Sequence, residues 1–341
     1  MFKRLFSTAM IAKTPVSTGP RHLVNITSLS QDEFLSLVSK AEQFKRIAKS
    51  GDTATIQANH NKLLGKLVAL LFSKRSTRTR ISTEGAAAHF GAQPMFLGKD
   101  DIQLGTNECI EDTTRVISSM TSCIFARVNS HNDIQELCKY SSVPIINALC
   151  DKYHPLQAIT DILSIKEAFG KTEGLKLAWI GDANNVFNDL CIASLKSGIS
   201  VSVLVPEGIS IDESVVADAQ TLVGASNGLL KFEVYNKPTD ALKNANVVVT
   251  DTWISMGEEG QAAAKLKQFA GYQIDQKMVK EGGVNSDWRF MHCLPRHQEE
   301  VADDVFYGSQ SIVFEEAENR LYAAMAVIDA FVVNKGNLLQ K

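Results

Sequence analysis

No apolar run in the chain reaches the roughly 18 residues that a membrane-spanning helix needs, which excludes such a span. The six cysteines, at positions 109, 123, 138, 150, 191 and 293, include no Cys-x-x-Cys pair. That spacing argues against a disulfide framework or a structural zinc site and fits a reducing compartment. Neither the phosphate-loop pattern G-x-x-x-x-G-K-[ST] nor the dinucleotide pattern G-x-G-x-x-G is present, so a P-loop enzyme and a Rossmann cofactor site are poor readings. Charge of one sign is also missing. With 38 acidic residues against 35 basic, the net charge of -3 argues against a nucleic-acid coat. Low-complexity segments and short repeats are absent.

One absence is local. No acidic residue occurs from Met1 to Gln31, while Lys3, Arg4, Lys13 and Arg21 are basic. Phe2, Leu5, Phe6 and Ala9 recur at helical spacing, and Ser7, Thr8, Thr14, Ser17 and Thr18 follow. This is the composition of a mitochondrial presequence, with a disordered cytosolic tail as the alternative. The expected location is the mitochondrial matrix, with the cytoplasm as the alternative. Residues 1–20 are therefore set aside from fold reasoning.

The whole chain of 341 residues is 45% hydrophobic and 21% charged, and what remains after residues 1–20 is enough for two ordinary globular domains. Short β-rich apolar runs alternate with helical patterns. Strands are expected at 66–72, 94–97, 123–127 and 143–147, with helices at 31–44, 81–90, 111–120, 134–140 and 155–169. Ser30 and Glu33 form a capping box ahead of the first helix, and residues 51–61 read as a polar connection. The alternation then restarts, with strands at 175–180, 201–205, 232–235, 247–250 and 290–292 and helices at 186–195, 215–223 and 316–333. Strand–helix alternation twice over predicts an α/β protein with two parallel-sheet domains. Residues 170–174 read as a linker and the helix before them as a bridge. The expected division is 21–165 and 166–341, with the C-terminal helix packing back on the first domain.

The most informative stretch is Ser76-Thr77-Arg78-Thr79-Arg80, placed where an apolar strand ends and a helix begins. Free N–H groups and the positive end of the helix dipole meet hydroxyls and guanidinium there, which makes an anion site, most simply for phosphate. Taken alone it also reads as a capped helix with Ser76 at the N-cap. Arg127 ends another buried strand at the same sheet edge and could close a clamp, although alone it reads as a surface arginine. His154 stands just before a helix and can donate to an oxygen that develops charge, and Gln157 can read another amide. A partly buried helix cap is the other reading of that pair. Asn184 and Asn185 follow the next strand, as an asparagine-rich turn or as neutral amides at a ligand edge. Asp251 is an acceptor for an ammonium group, and Ser255-Met256-Gly257 is either a closing loop or a plain one. Cys293 ends the last strand, where a thiol is reactive if its surroundings are positive. Leu294-Pro295 suits a cis bond in a tight turn.

These segments occur in a fixed order: Ser76-Thr77-Arg78-Thr79-Arg80, His154-Pro155-x-Gln157, Asp182-x-Asn184-Asn185, Asp251-Thr252-Trp253-x-Ser255-Met256-Gly257, His292-Cys293-Leu294-Pro295 and Glu315 to Arg320. As a set they resemble the ornithine carbamoyltransferases of the transcarbamylase family, fungal-type enzymes most of all. The resemblance runs from about Arg21 to the carboxyl terminus. It implies transfer from carbamoyl phosphate to L-ornithine, in a homotrimer, without metal or organic cofactor. Nucleic acid and membrane are not expected partners.

By the family pattern Ser76, Thr77, Arg78, Thr79 and Arg127 hold phosphate, and Arg127, His154 and Arg320 polarise the carbonyl. Gln157 reads the carbamoyl amide, and Gln103 reaches in from a neighbouring subunit. Asn185, Asp251, Ser255 and Met256 bind ornithine, and Cys293 lies beside the reacting amine with the Leu294 carbonyl. Ser73 and Asp189 depart from the family pattern, where an acid and a serine are frequent, so tuning is expected there. Alternatives are another transcarbamylase or a non-catalytic regulatory relative.

Overall fold

The apolar run Leu67–Phe72 forms the centre of a parallel sheet, buried at every position after the first. A strand covered by helices on both faces has no solvent side, so it reads as continuous rather than alternating hydrophobicity. The computed structural model describes residues 19–102, 107–254, 260 and 262–339. Residues 1–18, which carry nearly all of the presequence reading, lie outside the described residues, as do Gln103, Ser255 and Met256.

The first sheet contains β1 (Leu67–Phe72), β2 (Gln93–Gly98), β3 (Cys123–Arg127) and β4 (Ile145–Leu149), in the order β2-β1-β3-β4. The second contains β5 (Lys176–Ile180), β6 (Ser200–Leu204), β7 (Phe232–Tyr235), β8 (Val247–Thr250) and β9 (Arg289–His292), in the order β7-β6-β5-β8-β9. All pairings are parallel. Pro94 lies in β2, an edge strand, where a missing N–H costs no ladder bond on the open side. In each sheet the strand order reverses once, between β1 and β3 and between β5 and β8. Connections leave in opposite directions at such a point and open a crevice at the strand carboxyl ends.

The helices are α1 (Gln31–Ser50), α2 (Thr53–His60), α3 (Thr77–His89), α4 (Ile110–Met120), α5 (His131–Tyr140), α6 (Pro155–Phe169), α7 (Asn185–Lys196), α8 (Glu213–Ala225), α9 (Pro238–Leu242), α10 (Ala262–Gln268), α11 (Gln276–Gly282), α12 (Asp303–Phe306) and α13 (Val313–Val327). The α1 capping box is present, with Ser30 accepting from Glu33 N–H and Glu33 accepting from Ser30 N–H. Helix α6 is buried on all sides over its first eleven residues, as a bridge between two halves must be. It packs on α1, α7 and α13, and α13 also packs on α1 and α3. Among the described residues no helix is long and apolar enough to cross a membrane.

Several expectations need correction. Residues 51–61 are not a polar connection but hold α2, capped by Asp52 on the N–H groups of Ala54 and Thr55. This helix shows no apolar stripe, because only Asn59 in it is buried. Helices α9 to α12 were missed because runs of four to seven residues are too short to display a 3.6 period. The strand expected at 143–147 is Ile145–Leu149. The C-terminal helix starts earlier, at Val313, and continues after Val327 as a π turn over Ile328–Val333.

Candidate active site

The cleft is built from the ends of six strands. Phe72 pairs with Arg127 across the first sheet, and the Ser73 N–H donates to the Arg127 carbonyl at 2.8 Å. The chain then turns into α3, where Ser76 caps the helix and its Oγ accepts the Thr79 N–H at 3.3 Å. The helix N-terminus and Arg127 thus share one edge of the sheet. His154 opens α6 just beyond β4. From the second sheet come Asn184 and Asn185 after β5, Asp251 after β8 and Cys293 after β9. All of these, with Ser76, Thr77, Arg78, Thr79, Gln157, Leu294 and Arg320, line one cavity of about 1070 Å³.

One wall is cationic. Arg127 and Arg320 are buried beside Arg78, and burial is the main reason that their guanidinium groups are pulled down, to about 10 and about 9 respectively. Repulsion among the three adds to the effect. The His154 imidazole is pushed well below its ordinary value by burial, then by Arg320, Arg127 and Arg78, so it is neutral. Arg127 Nε, both Nη atoms of Arg320 and His154 Nδ1 are buried without a hydrogen-bond partner among the described residues. Each such orphan typically costs about 1–3 kcal/mol, and more when charged. One small dianion with a carbonyl oxygen would satisfy them together.

The other wall is acidic and soft. Asp251 Oδ2 accepts Asn184 Nδ2 at 2.7 Å, and Oδ1 accepts the Cys293 thiol at 3.0 Å. Burial, then the Asp251 carboxylate, pushes the Cys293 thiol well up. The positive surroundings that would make it a reactive thiolate are outweighed, and it stays a hydrogen-bond donor. The two walls touch where an Arg78 Nη donates to the Leu294 carbonyl. That carbonyl is thereby engaged by a guanidinium. Leu294 has φ 60° and a cis bond to Pro295, and its N–H donates to His292 Nδ1 at 2.8 Å. His292 must then carry its proton on Nε2, facing Glu300 at 2.9 Å.

Asn185 Nδ2 donates to the Cys150 carbonyl at 2.6 Å. Three supporting carboxylates escaped sequence reasoning as site components. Asp189 holds the His154 N–H, and Asp161 and Glu316 hold Gln157. A signal for two of them existed: Asp161 and Asp189 are isolated acids inside otherwise buried helical runs.

Two family profiles match consecutive parts of the chain. Residues 21–167 match the carbamoyl-P binding domain of aspartate/ornithine carbamoyltransferase, and residues 173–331 its Asp/Orn binding domain. The chain belongs to the aspartate/ornithine carbamoyltransferase family. Relatives in this family include the mitochondrial ornithine transcarbamylase of Pachysolen tannophilus, 60% identical over 99% of this chain and 95% of that protein. The ornithine carbamoyltransferase of Saccharomyces cerevisiae is 61% identical over 96% of this chain and 97% of that one. Among solved structures, the mitochondrial ornithine carbamoyltransferase of Coccidioides immitis superposes with a TM-score of 0.86 at 49% identity, covering 94% of this chain and 99% of that one. The Pyrococcus furiosus ornithine carbamoyltransferase gives the same TM-score, 0.86, at 41% identity and the same coverage. The two-domain α/β layout of the family is the layout described here.

Proposed function

We propose that the chain transfers the carbamoyl group of carbamoyl phosphate to the δ-amine of L-ornithine, giving L-citrulline and phosphate. What carries this reading is the set of unpartnered donors on Arg127, His154 and Arg320, facing an acid-and-thiol wall across one cleft. A carbamoyl phosphate in the cleft places its phosphate on Ser76, Thr77, Arg78, Thr79 and Arg127. Its carbonyl oxygen then meets Arg127, His154 and Arg320, and its NH2 meets Gln157. The Leu294 carbonyl, which Arg78 already engages, is counted with the groups around carbamoyl phosphate, and ornithine lies toward Asn185, Asp251 and Cys293, with Ser255 and Met256 assigned to it from the family pattern.

The neutral δ-nitrogen attacks the carbonyl carbon, and negative charge grows on the oxygen. The amine then gives one proton to the phosphate oxygen, the C–O bond to phosphate breaks, and hydrogen phosphate leaves into the clamp that already holds it. Fixed donors aimed at the developing oxyanion are each typically worth about 3–4 kcal/mol. The steps named use this chain's own groups and substrate, without a cofactor.

The site is proposed to be completed in a homotrimer, with Gln103 supplied by a neighbouring subunit. Ile81 on α3, Met95 on β2 and Val116 and Met120 on α4 are apolar and exposed on the first half, which supports a subunit contact there. The chain is proposed to divide at 165/166. Relatives from Pachysolen tannophilus and Aspergillus niger are named as mitochondrial enzymes, which supports the mitochondrial matrix as the location proposed for this chain.

The test is citrulline release from carbamoyl phosphate with ornithine, run against aspartate as acceptor. Turnover with ornithine alone is expected. Turnover with aspartate, or with neither, overturns the reading.

A further inference from the structure

Gln157 lines the cleft, and its amide is fixed from behind. Its Nε2 donates to Asp161 Oδ1 at 2.7 Å and to Glu316 Oε1 at 2.9 Å. An amide nitrogen has two protons, so both are committed. The group left for the cleft is the carbonyl oxygen, an acceptor. Flipping the amide would press that oxygen against two carboxyl groups in a buried place, which is unfavourable.

The two carboxyls come from different elements. Asp161 lies one turn after Gln157 on α6, and Glu316 lies in the first turn of α13. The second oxygen of Glu316 accepts the His292 N–H at 3.1 Å, so the same side chain also fixes the end of β9. Both carboxyls are only 2% exposed, and they share the Gln157 amide nitrogen as donor, so two bare charges side by side are disfavoured. Burial lifts both above the ordinary carboxylate range, Asp161 to about 7. The pair can therefore accept from Gln157 without placing two bare negative charges side by side.

We propose that Asp161 and Glu316 are positioning residues that lock the Gln157 amide with its oxygen toward the cleft, so that the site selects an acyl phosphate bearing N–H over one bearing a methyl group in the same place. This rests on the carbamoyl phosphate reading above and adds the origin of donor specificity. A methyl group leaves the buried Gln157 oxygen unpaired, and a site built around a hydrogen bond discriminates against the analogue lacking it.

The experiment compares inhibition by phosphonoacetamide, acetonylphosphonate and inorganic phosphate in the full-length protein. The first two differ only by NH2 against CH3. The wild type is expected to prefer phosphonoacetamide at least tenfold. Asp161→Leu should reduce the preference below threefold while inhibition by phosphate stays within twofold. Asp161→Asn, whose amide supplies an acceptor toward Gln157 and a donor toward Glu316, should keep it. A folded Asp161→Leu protein that retains the full preference overturns the proposal. So does a folded Asp161→Asn protein that loses it, which keeps the test decisive if Asp161→Leu does not fold. A wild type that binds phosphate but treats the two phosphonates alike also overturns it. A wild type that binds none of the three instead overturns the carbamoyl phosphate reading itself.

Discussion

Asp189 on α7 accepts the backbone N–H of His154 at 2.8 Å, and its other oxygen accepts the N–H of Ile26 at 2.8 Å. One buried carboxylate thus joins the second half of the chain to the residue that opens α6 and to the segment before α1. The family resemblance leads one to expect serine here, and a slight tuning of ornithine affinity. The geometry gives Asp189 a different task, holding His154 in place. Lys196, on the same helix, donates to the Ile26 and Thr27 carbonyls at 2.9 and 3.3 Å and also to that of Leu29, fixing the same segment.

Asp189 should make stability depend on pH. Burial lifts its carboxyl to about 7, although the two N–H groups pull the other way. The folded chain therefore holds a proton between about pH 4 and 7 that the unfolded chain has released. The stabilisation is full below about 4 and is lost as pH rises through 7, with a slope of at most about 1.4 kcal/mol per pH unit. Asp161 has the same sign in the same window. Urea midpoints at pH 5, 6, 7 and 8 should fall with pH, and less steeply in Asp189→Asn. Equal slopes in the two proteins would refute the assignment.

The three arginines should stabilise catalysis at the expense of the unliganded fold. Arg320 is buried without a partner for either Nη among the described residues and is repelled by Arg78 and Arg127. Arg320→Met should lower kcat by about 100-fold or more, the scale for removing one oxyanion donor. The same variant should melt above the wild type when no ligand is present, because a buried like charge is gone. Calorimetry and citrulline assays on one preparation check both. A variant with lower Tm and unchanged kcat contradicts the charge arrangement.

Phosphate should stabilise the native chain. A dianion in the clamp offsets the charge of Arg78 and Arg127, and ligand at 100 times its Kd adds about 2.7 kcal/mol. The rise in Tm should saturate with phosphate, be absent with chloride at equal ionic strength, and be lost in Arg78→Ala. A linear response shared by both salts would mean general screening and no site.

The reaction should accelerate with pH. The δ-ammonium of ornithine titrates near 10, so the attacking neutral amine grows about tenfold per pH unit below that. The value of kcat/KM for ornithine should climb steadily from pH 6 to 8. A flat profile over pH 6–9 counts against attack by the free amine.

The strand β1, the α3 cap and the order of the motifs were legible in the sequence because each rests on local chemistry. A parallel strand buried on both faces must be apolar throughout, and a helix N-terminus preceded by hydroxyls binds anions wherever it occurs. What only the tertiary structure decided is which distant groups face one another. Arg78 meets Leu294 across 216 residues, and Gln157 meets Glu316 across 159. Spacing along a chain sets the period within one element, whereas these pairs arise from α13 lying against α6 and from two sheets opening their carboxyl edges on one cleft. That packing turned Asp161 and Asp189, isolated acids in buried helices, and Glu316, one of three acids at the start of α13, into the supports of the site.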